Sequence, residues 1–180
     1  RDFGDSDSSC EVNANCSEGD QWENIKKSAC RISIKAGNSY GWCSGAMINN
    51  TQNDCTPYIL TADHCAGGNS GYASESDMNQ WVFYFNYEAE NCENPNSNPS
   101  SNTMSGCSLI SNSGNYNIDG TSDFHLVELN STIPFDYGIY AAGWDASGTG
   151  DSQGVSIHHP SGDIKKISTY ATSLATTAWS

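Results

Sequence analysis

The chain has 180 residues, of which 7 are Lys or Arg and 21 are Asp or Glu, so its formal net charge is −14. This acidic excess argues against nucleic acid or an anionic membrane surface as a partner, and we expect neither. The length suits one compact domain or a domain and a fraction of another, and no apolar run approaches the roughly 20 residues that span a bilayer.

The spacing of the hydrophobic residues predicts strands in the first third of the chain. Apolar and polar residues alternate over residues 30–35, which is the period of a half-buried strand. A turn at Gly37 and Asn38 follows, and extended character resumes over residues 40–49. The short apolar run of residues 57–62 predicts a strand that is buried on both faces.

Two further apolar segments, residues 81–87 and 124–129, predict strands, and the aromatic side chains of the first point into a large core. Only residues 20–27 have a helical pattern, for one or two turns. The remaining polar stretches predict long loops, at residues 66–80, 90–106 and 111–122. Short strands joined by such loops predict an all-β protein, either a barrel or a sandwich.

The eight cysteines indicate the compartment in which the protein works. The sequence has no C-x-x-C pair, which excludes zinc ribbons and thioredoxin-type redox sites. Many cysteines in an acidic chain rich in Gly, Asn and Ser are typical of secreted, disulfide-bonded proteins. The first residues lack the apolar segment of a signal peptide, so we expect a trimmed, mature chain that is located extracellularly.

Two polar residues stand at the ends of predicted strands. His64 follows the apolar run of residues 57–62, where a histidine is held rigidly and still faces the rim of a barrel. Asp123 precedes the strand of residues 124–129, where its carboxylate can meet an imidazole. A general base needs such a carboxylate to fix its tautomer and to stabilise the imidazolium. We therefore predict that His64 and Asp123 act together.

The motifs around these residues, T-A-D-H-C and S-D-F-H-L-V-E-L, resemble those of trypsin-like (chymotrypsin-fold) serine proteases. An ordered series of further motifs resembles the lysyl endopeptidase branch of that family, at residues 9–13, 16–20, 48–51, 85–87, 142–145 and 157–160. The resemblance runs from about Ser9 to Ser180. It implies an all-β, trypsin-like double β-barrel, of which this chain holds the first antiparallel barrel and the beginning of the second.

The resemblance also implies boundaries within the chain. Residues 1–20 would form an N-terminal arm, residues 21–130 the first β-barrel with the histidine and aspartate of the triad, and residues 131–180 the incomplete start of the second barrel. His64 would be the general base and Asp123 the carboxylate that orients it. No cofactor and no metal is implied.

The family implies two disulfide bonds, Cys43–Cys65 beside the histidine and Cys16–Cys92. Cys10 would pair with a cysteine in the second half of the protease, which lies outside this chain. For the other three cysteines we expect a Cys55–Cys107 bond and a bond from Cys30 to the missing half.

The serine that completes the family's triad lies in a downstream G-[DS]-S-G motif, and this sequence ends at Ser180 without one. We therefore expect these residues alone to lack peptidase activity. The expected partners are a protein or peptide substrate and the remaining C-terminal half, disulfide-linked through Cys10 or Cys30. The G-D-S-Q-G segment of residues 150–154 follows Asp123 too closely to be the nucleophile loop, and a surface turn is expected there.

The resemblance thus predicts a secreted serine endopeptidase that cleaves after basic residues, lysine in particular. The alternative is a catalytically inactive homologue that acts as a secreted binding or scaffold module, because the chain lacks the nucleophile. A protein that only binds has no chemical reason to keep both His64 and Asp123, which favours the protease.

Five other residues carry expectations of their own. Asp63 departs from the residue type usual in the family, and its carboxylate would raise the pKa of His64 if it lay near the imidazole. His125 points to the same side of its strand as Asp123 and would line the barrel or a pocket. Adjacent His158 and His159 point to opposite faces and cannot share one metal ion. Trp179 would approach the substrate side of the cleft.

Overall fold

The computed structural model describes residues 11–68, 71–114 and 122–175. Its helices are short, one turn each, and most of the regular structure is strand. The α-helices are α1 (Glu23–Lys26), α2 (Asp63–Ala66) and α3 (Glu75–Met78). The strands are β1 (Val12–Asn13), β2 (Ala29–Ala36), β3 (Ser39–Ile48), β4 (Tyr58–Thr61), β5 (Gly67–Gly68), β6 (Gly71–Tyr72), β7 (Val82–Phe85), β8 (Asn102–Ser105), β9 (Cys107–Asn112), β10 (His125–Leu129), β11 (Gly154–His158) and β12 (Lys166–Tyr170). Three 3-10 turns complete the description, at Ser17–Gly19, Phe135–Tyr137 and Pro160–Gly162.

The main sheet has seven antiparallel strands in the order β8-β7-β2-β3-β4-β10-β9. Its two edge strands, β8 and β9, are separated in the chain by Gly106 alone, so the sheet must curl until its edges meet. Gly106 has a φ of +80°, and a side chain there would lie 2.7 Å from the Asn130 amide. The result is the all-β, trypsin-like barrel that the motifs imply.

The interior of this barrel is filled by alternate residues of its strands. Trp81, Phe83 and Phe85 are completely buried, as the aromatic pattern of residues 81–87 predicts, and Ile59 and Val127 face them from other strands. Each such side chain contributes roughly 1.5–3 kcal/mol when removed from water. The strand that contains residues 30–35, the turn at Gly37 and Asn38, and the strand within residues 124–129 are likewise confirmed.

Two predictions about the strands are wrong. β4 is buried on one face only, because Ile59 is fully buried whereas Leu60 is 39% exposed. A strand in an antiparallel sheet can have one face against the core and the other face in solvent. A continuous apolar run therefore does not show that both faces of the strand are buried. The segments of residues 66–80 and 90–106 are not simply loops, since the first contains β5, β6 and α3 and the second contains β8. These strands and this helix are short and place few residues in the core, so their sequences are mostly polar and do not predict them.

A second, three-stranded sheet has the order β1-β12-β11. β1 lies within the predicted N-terminal arm, and it pairs with β12 through Val12 opposite Ile167. β12 and β11 belong to the segment in which the start of a second barrel is predicted. The boundaries at residues 20 and 130 remain predictions.

Several cations are buried between the barrel and this second sheet. The guanidinium of Arg31 lies over three aromatic rings, 3.7 Å from the Tyr87 centroid, and donates to the Gly162 carbonyl at 2.9 Å. Lys165 is fully buried 2.6 Å from Glu88, and Lys166 donates to Asn13 at 2.8 Å. Such contacts with aromatic faces and charged or carbonyl oxygens offset the cost of burying each charge.

The two disulfide bonds implied by the family, Cys16–Cys92 and Cys43–Cys65, are confirmed. The expected Cys55–Cys107 bond is wrong, because Cys55 is an exposed free thiol whereas Cys107 is buried in the core. Cys30 is also a buried free thiol, and its expected bond to the missing half remains a prediction. Burial raises the pKa of the Cys30 and Cys107 thiols to about 12. Cys10 lies outside the described residues.

Candidate active site

His64 projects from α2, the single helical turn that follows β4. Its side chain is 63% exposed, whereas the residues on either side of it, Asp63 and Cys65, are buried. The disulfide between Cys65 and Cys43 ties this turn to β3. The chain therefore presents the imidazole to solvent on a turn that is fixed by its neighbours.

Asp123 reaches the same place from a distant part of the chain. β4 and β10 are antiparallel neighbours, with Thr61 opposite His125, so the residues after Thr61 lie beside those before His125. The backbone N–H of Asp63 donates to the carbonyl of Asp123 at 3.3 Å. Strand register alone thus brings together two residues separated by 59 positions.

The Asp123 carboxylate contacts His64 twice. Oδ2 lies 2.6 Å from the imidazole Nδ1, and Oδ1 accepts from the backbone N–H of His64 at 2.8 Å. Burial by itself would raise the pKa of Asp123, but the hydrogen bonds from His64 outweigh it and hold the pKa below its usual range. The ionised carboxylate accepts from Nδ1–H, which leaves Nε2 free to take a proton. The pair can therefore act as an oriented general base.

Nε2 of His64 lies 3.9 Å from the sulfur of Cys65. Cys43, His64 and Cys65 bring their donor atoms within 4.8 Å of one another, the proximity expected of metal ligands. Because the two sulfurs form a disulfide bond, they are not the thiolates that bind zinc.

The Asp63 carboxylate is fully buried and is bound to residues other than His64. It accepts from the Tyr72 hydroxyl and lies 3.2 Å from Nδ1 of His125. His125 is in the barrel interior, completely buried. Tyr72 and Asn112 complete this group, and neither was singled out from the sequence because their partners come from other elements without a fixed spacing.

The remaining candidate residues lie apart from His64. His159 is buried, with its ring stacked on Tyr87 at 6.2 Å, whereas the neighbouring His158 ends β11. Residues 150–153, within the G-D-S-Q-G segment, are largely exposed and lead into β11. Trp179 lies outside the described residues. No helix among the described residues is both long and apolar enough to cross a membrane.

Comparison with known proteins gives two findings. The family described as "Lysyl endopeptidase, C-terminal domain" matches residues 3–180. A curated protein named lysyl endopeptidase, from Pseudomonas aeruginosa, is 28% identical over 167 residues, which cover 89% of this chain and 34% of that protein. The chain thus spans about a third of the length of this relative.

Proposed function

We propose, from the premise that this chain belongs to the lysyl endopeptidase C-terminal domain family, that it is the histidine- and aspartate-bearing part of a secreted serine endopeptidase. Membership in the family makes the chain similar to lysyl endopeptidases, and proteolytic activity is part of the proposal. The observation that carries the finer proposal is the 2.6 Å contact between Nδ1 of His64 and Oδ2 of Asp123. Two disulfide bonds support the extracellular location.

The proposed reaction is acyl transfer from a peptide bond. Nε2 of His64 takes the proton from a serine hydroxyl as its oxygen attacks the scissile carbonyl carbon. His64 then gives that proton to the nitrogen of the leaving amine, and the C–N bond breaks. Asp123 holds the imidazole and stabilises its positive charge through both steps. Water completes hydrolysis by the same proton transfers in the second half of the cycle.

We propose that the serine comes from a segment outside these 180 residues. The sequence contains no G-[DS]-S-G motif, which is the context of that serine in the family. The backbone amides that stabilise the oxyanion would come from the same segment. On this proposal the 180 residues alone have no peptidase activity, and the second half completes a cleft between two barrels.

Preference for lysine at the cleaved bond is proposed from the family and from the relative's name. The acidic composition is compatible with a cationic substrate. The rival is an inactive homologue that binds proteins without cleaving them.

Native material labelled with a fluorophosphonate probe distinguishes the two functions. The protease predicts a labelled serine on a polypeptide that also contains, or is attached to, these 180 residues, and cleavage of lysyl peptides. Mass analysis with and without reduction shows whether that serine is on the same chain or on one linked through Cys10. A native species of 19.3 kDa that no probe labels would refute the proposal and favour the binding module.

A further inference from the structure

A second aspartate–histidine pair lies buried beside the exposed one. Asp63 and His125 are both completely buried, with Oδ1 of Asp63 3.2 Å from Nδ1 of His125. The Tyr72 hydroxyl donates to the same Asp63 oxygen and lies 2.9 Å from Nδ1 of His125. Asn112 in turn donates to the Tyr72 oxygen at 2.6 Å. None of these four residues takes part in the proposed proton transfers.

The two pairs occupy the same two segments of chain. Asp63 directly precedes His64 in α2, and His125 lies two residues after Asp123 at the start of β10. Each exposed residue therefore has a buried neighbour, and these two neighbours are bound to each other. The backbone bond from Asp63 to Asp123 lies between the two pairs. The second pair is thus a link between the segment that carries His64 and the segment that carries Asp123.

The exposed pair needs such a link because its own surroundings hold it weakly. α2 has four residues, too few for a helix to be stable by itself. The side chains of His64 and Asp123 are 63% and 43% exposed, so packing restrains neither of them strongly. The Cys43–Cys65 disulfide anchors α2 after His64, and Asp63 anchors it before His64.

The chemistry of the buried pair favours one fixed arrangement. Burial lowers the pKa of His125, and the hydrogen bond and charge of Asp63 offset only part of this effect. His125 is therefore neutral and donates from Nδ1, which agrees with the absence of a partner for its Nε2 among the described residues. The ring of Trp81, with its centroid 5.8 Å from that of His125, packs beside it. Burying a carboxylate costs free energy unless the carboxylate accepts hydrogen bonds. Any shift between the α2 and β10 segments that broke the bonds to Asp63 would therefore be disfavoured.

We propose that Asp63 and His125, joined by Tyr72, are positioning residues. They hold His64 and Asp123 within hydrogen-bonding distance of each other. This inference rests on the proposed function, since it assigns a role within the same site. It predicts that loss of the buried pair loosens the contact between His64 and Asp123 and slows the chemical step, while substrate binding is retained.

The test uses Asp63→Asn and His125→Gln, with Tyr72→Phe as a milder change that keeps the aromatic ring. Asp77→Asn is the matched control, because Asp77 is also a buried carboxylate bound to a partner, Lys35, and belongs to α3. The first readout, on this chain, is the low-field proton NMR signal of His64 Nδ1–H. The second is kcat and KM of the complete protease on a lysyl peptide.

We expect Asp63→Asn and His125→Gln to broaden or abolish the His64 signal and to lower kcat by about tenfold or more, with KM unchanged. Tyr72→Phe should act in the same direction more weakly. Asp77→Asn should lower the melting temperature and leave both the signal and kcat intact.

The proposal is overturned if the two buried-pair variants lose melting temperature as Asp77→Asn does but retain the His64 signal and kcat. Should either variant fail to fold, Tyr72→Phe decides by the same criteria. A wild-type protein that neither cleaves peptides nor reacts with the probe refutes the proposed protease, and the NMR signal then still decides whether the buried pair positions His64.

Discussion

Asp123 accepts two hydrogen bonds from one residue, and they restrain different parts of it. The bond from the His64 backbone fixes the turn, and the bond at Nδ1 fixes the ring. A single carboxylate can do both because its two oxygens are directed at two donors. This arrangement means that the structural and the chemical roles of Asp123 can be separated by substitution.

Asp123→Asn is expected to separate them in the complete protease. The amide oxygen can still accept from the His64 backbone, so the melting temperature should change little. Its NH₂ group, facing Nδ1, favours the tautomer with the proton on Nε2, and the general base is lost. We expect kcat to fall by about 10⁴-fold. Asp20→Asn, at an exposed residue, is the control, and equal activity of the two variants would contradict the assigned role.

At the scale of elements, α2 depends on β3 as well as on β10. The Cys43–Cys65 bond closes a loop across β4 with a sequence separation of 22 residues. A cross-link over a loop of this size restricts the unfolded chain and stabilises the folded one by about 3 kcal/mol. The same bond lies beside Nε2 of His64, so its loss should affect both the fold and the imidazole.

Replacing both cysteines, Cys43→Ala with Cys65→Ala, should lower the free energy of unfolding by about 3 kcal/mol in a urea titration. The hydrogen exchange of amides in α2 should accelerate by more than that of amides in β2. Cys55→Ala, which removes an exposed free thiol, serves as the control and should leave both quantities unchanged. A double variant as stable as this control would show that the bond contributes nothing.

The strands and helices differ in how clearly the sequence predicts them. β7 was evident from its alternating aromatics, because those side chains fill the barrel. α3 was missed, although Ser74 and Asp77 form a capping box whose S-x-x-D spacing is a sequence signal. β8 has no such signal, since its short polar sequence pairs with β7 at the sheet edge.

In the candidate site, too, the sequence predicts some residues and not others. His64 and Asp123 were found because motifs carry them, and strand register explains their meeting. The bond from Tyr72 to Asp63 could not be predicted, because it depends on how the short β6 strand returns beside α2. Cys107 is a free thiol that is buried in the core. The number of cysteines in the sequence does not show which of them are buried, so this could not be predicted either.

At the scale of the whole molecule, buried imidazoles make the fold sensitive to acid. Burial, with a smaller contribution from Lys165, lowers the pKa of His159 to about 3, and burial also lowers that of His125. The unfolded chain takes up these protons near the ordinary histidine pKa of about 6.5. Between that pH and the folded values the unfolded state binds more protons, so stability is greatest above this range and falls as the pH decreases.

Urea titrations at pH 7, 5 and 4 should therefore show a falling free energy of unfolding. His159 alone accounts for a loss on the order of 4 kcal/mol by about pH 3. His159→Gln should flatten the dependence between pH 6 and 4. A wild-type profile that is flat over this range would contradict the buried, neutral state of His159.

The surface charge has its own consequence for the proposed substrates. Of the lysines and arginines that the structure describes, Lys27 is the one in an exposed position, while the full chain carries 21 acidic residues. The resulting negative field attracts cationic peptides and is screened by salt. We expect kcat/KM for a peptide with additional lysines to fall several-fold between about 20 and 500 mM NaCl. A peptide with glutamates at those positions should show no fall, and identical salt profiles would exclude steering.

The burial of three lysines affects how readily the proposed protease could cleave itself. Lys26, Lys165 and Lys166 are 3%, 0% and 1% exposed. A protease must draw several residues around the cleaved bond into its cleft in extended form, which the folded chain forbids at these three sites. Autolysis at these three lysines is thus confined to rare openings of the structure, whereas Lys27 is exposed. Partial unfolding of the chain should therefore make cleavage after Lys26, Lys165 and Lys166 possible.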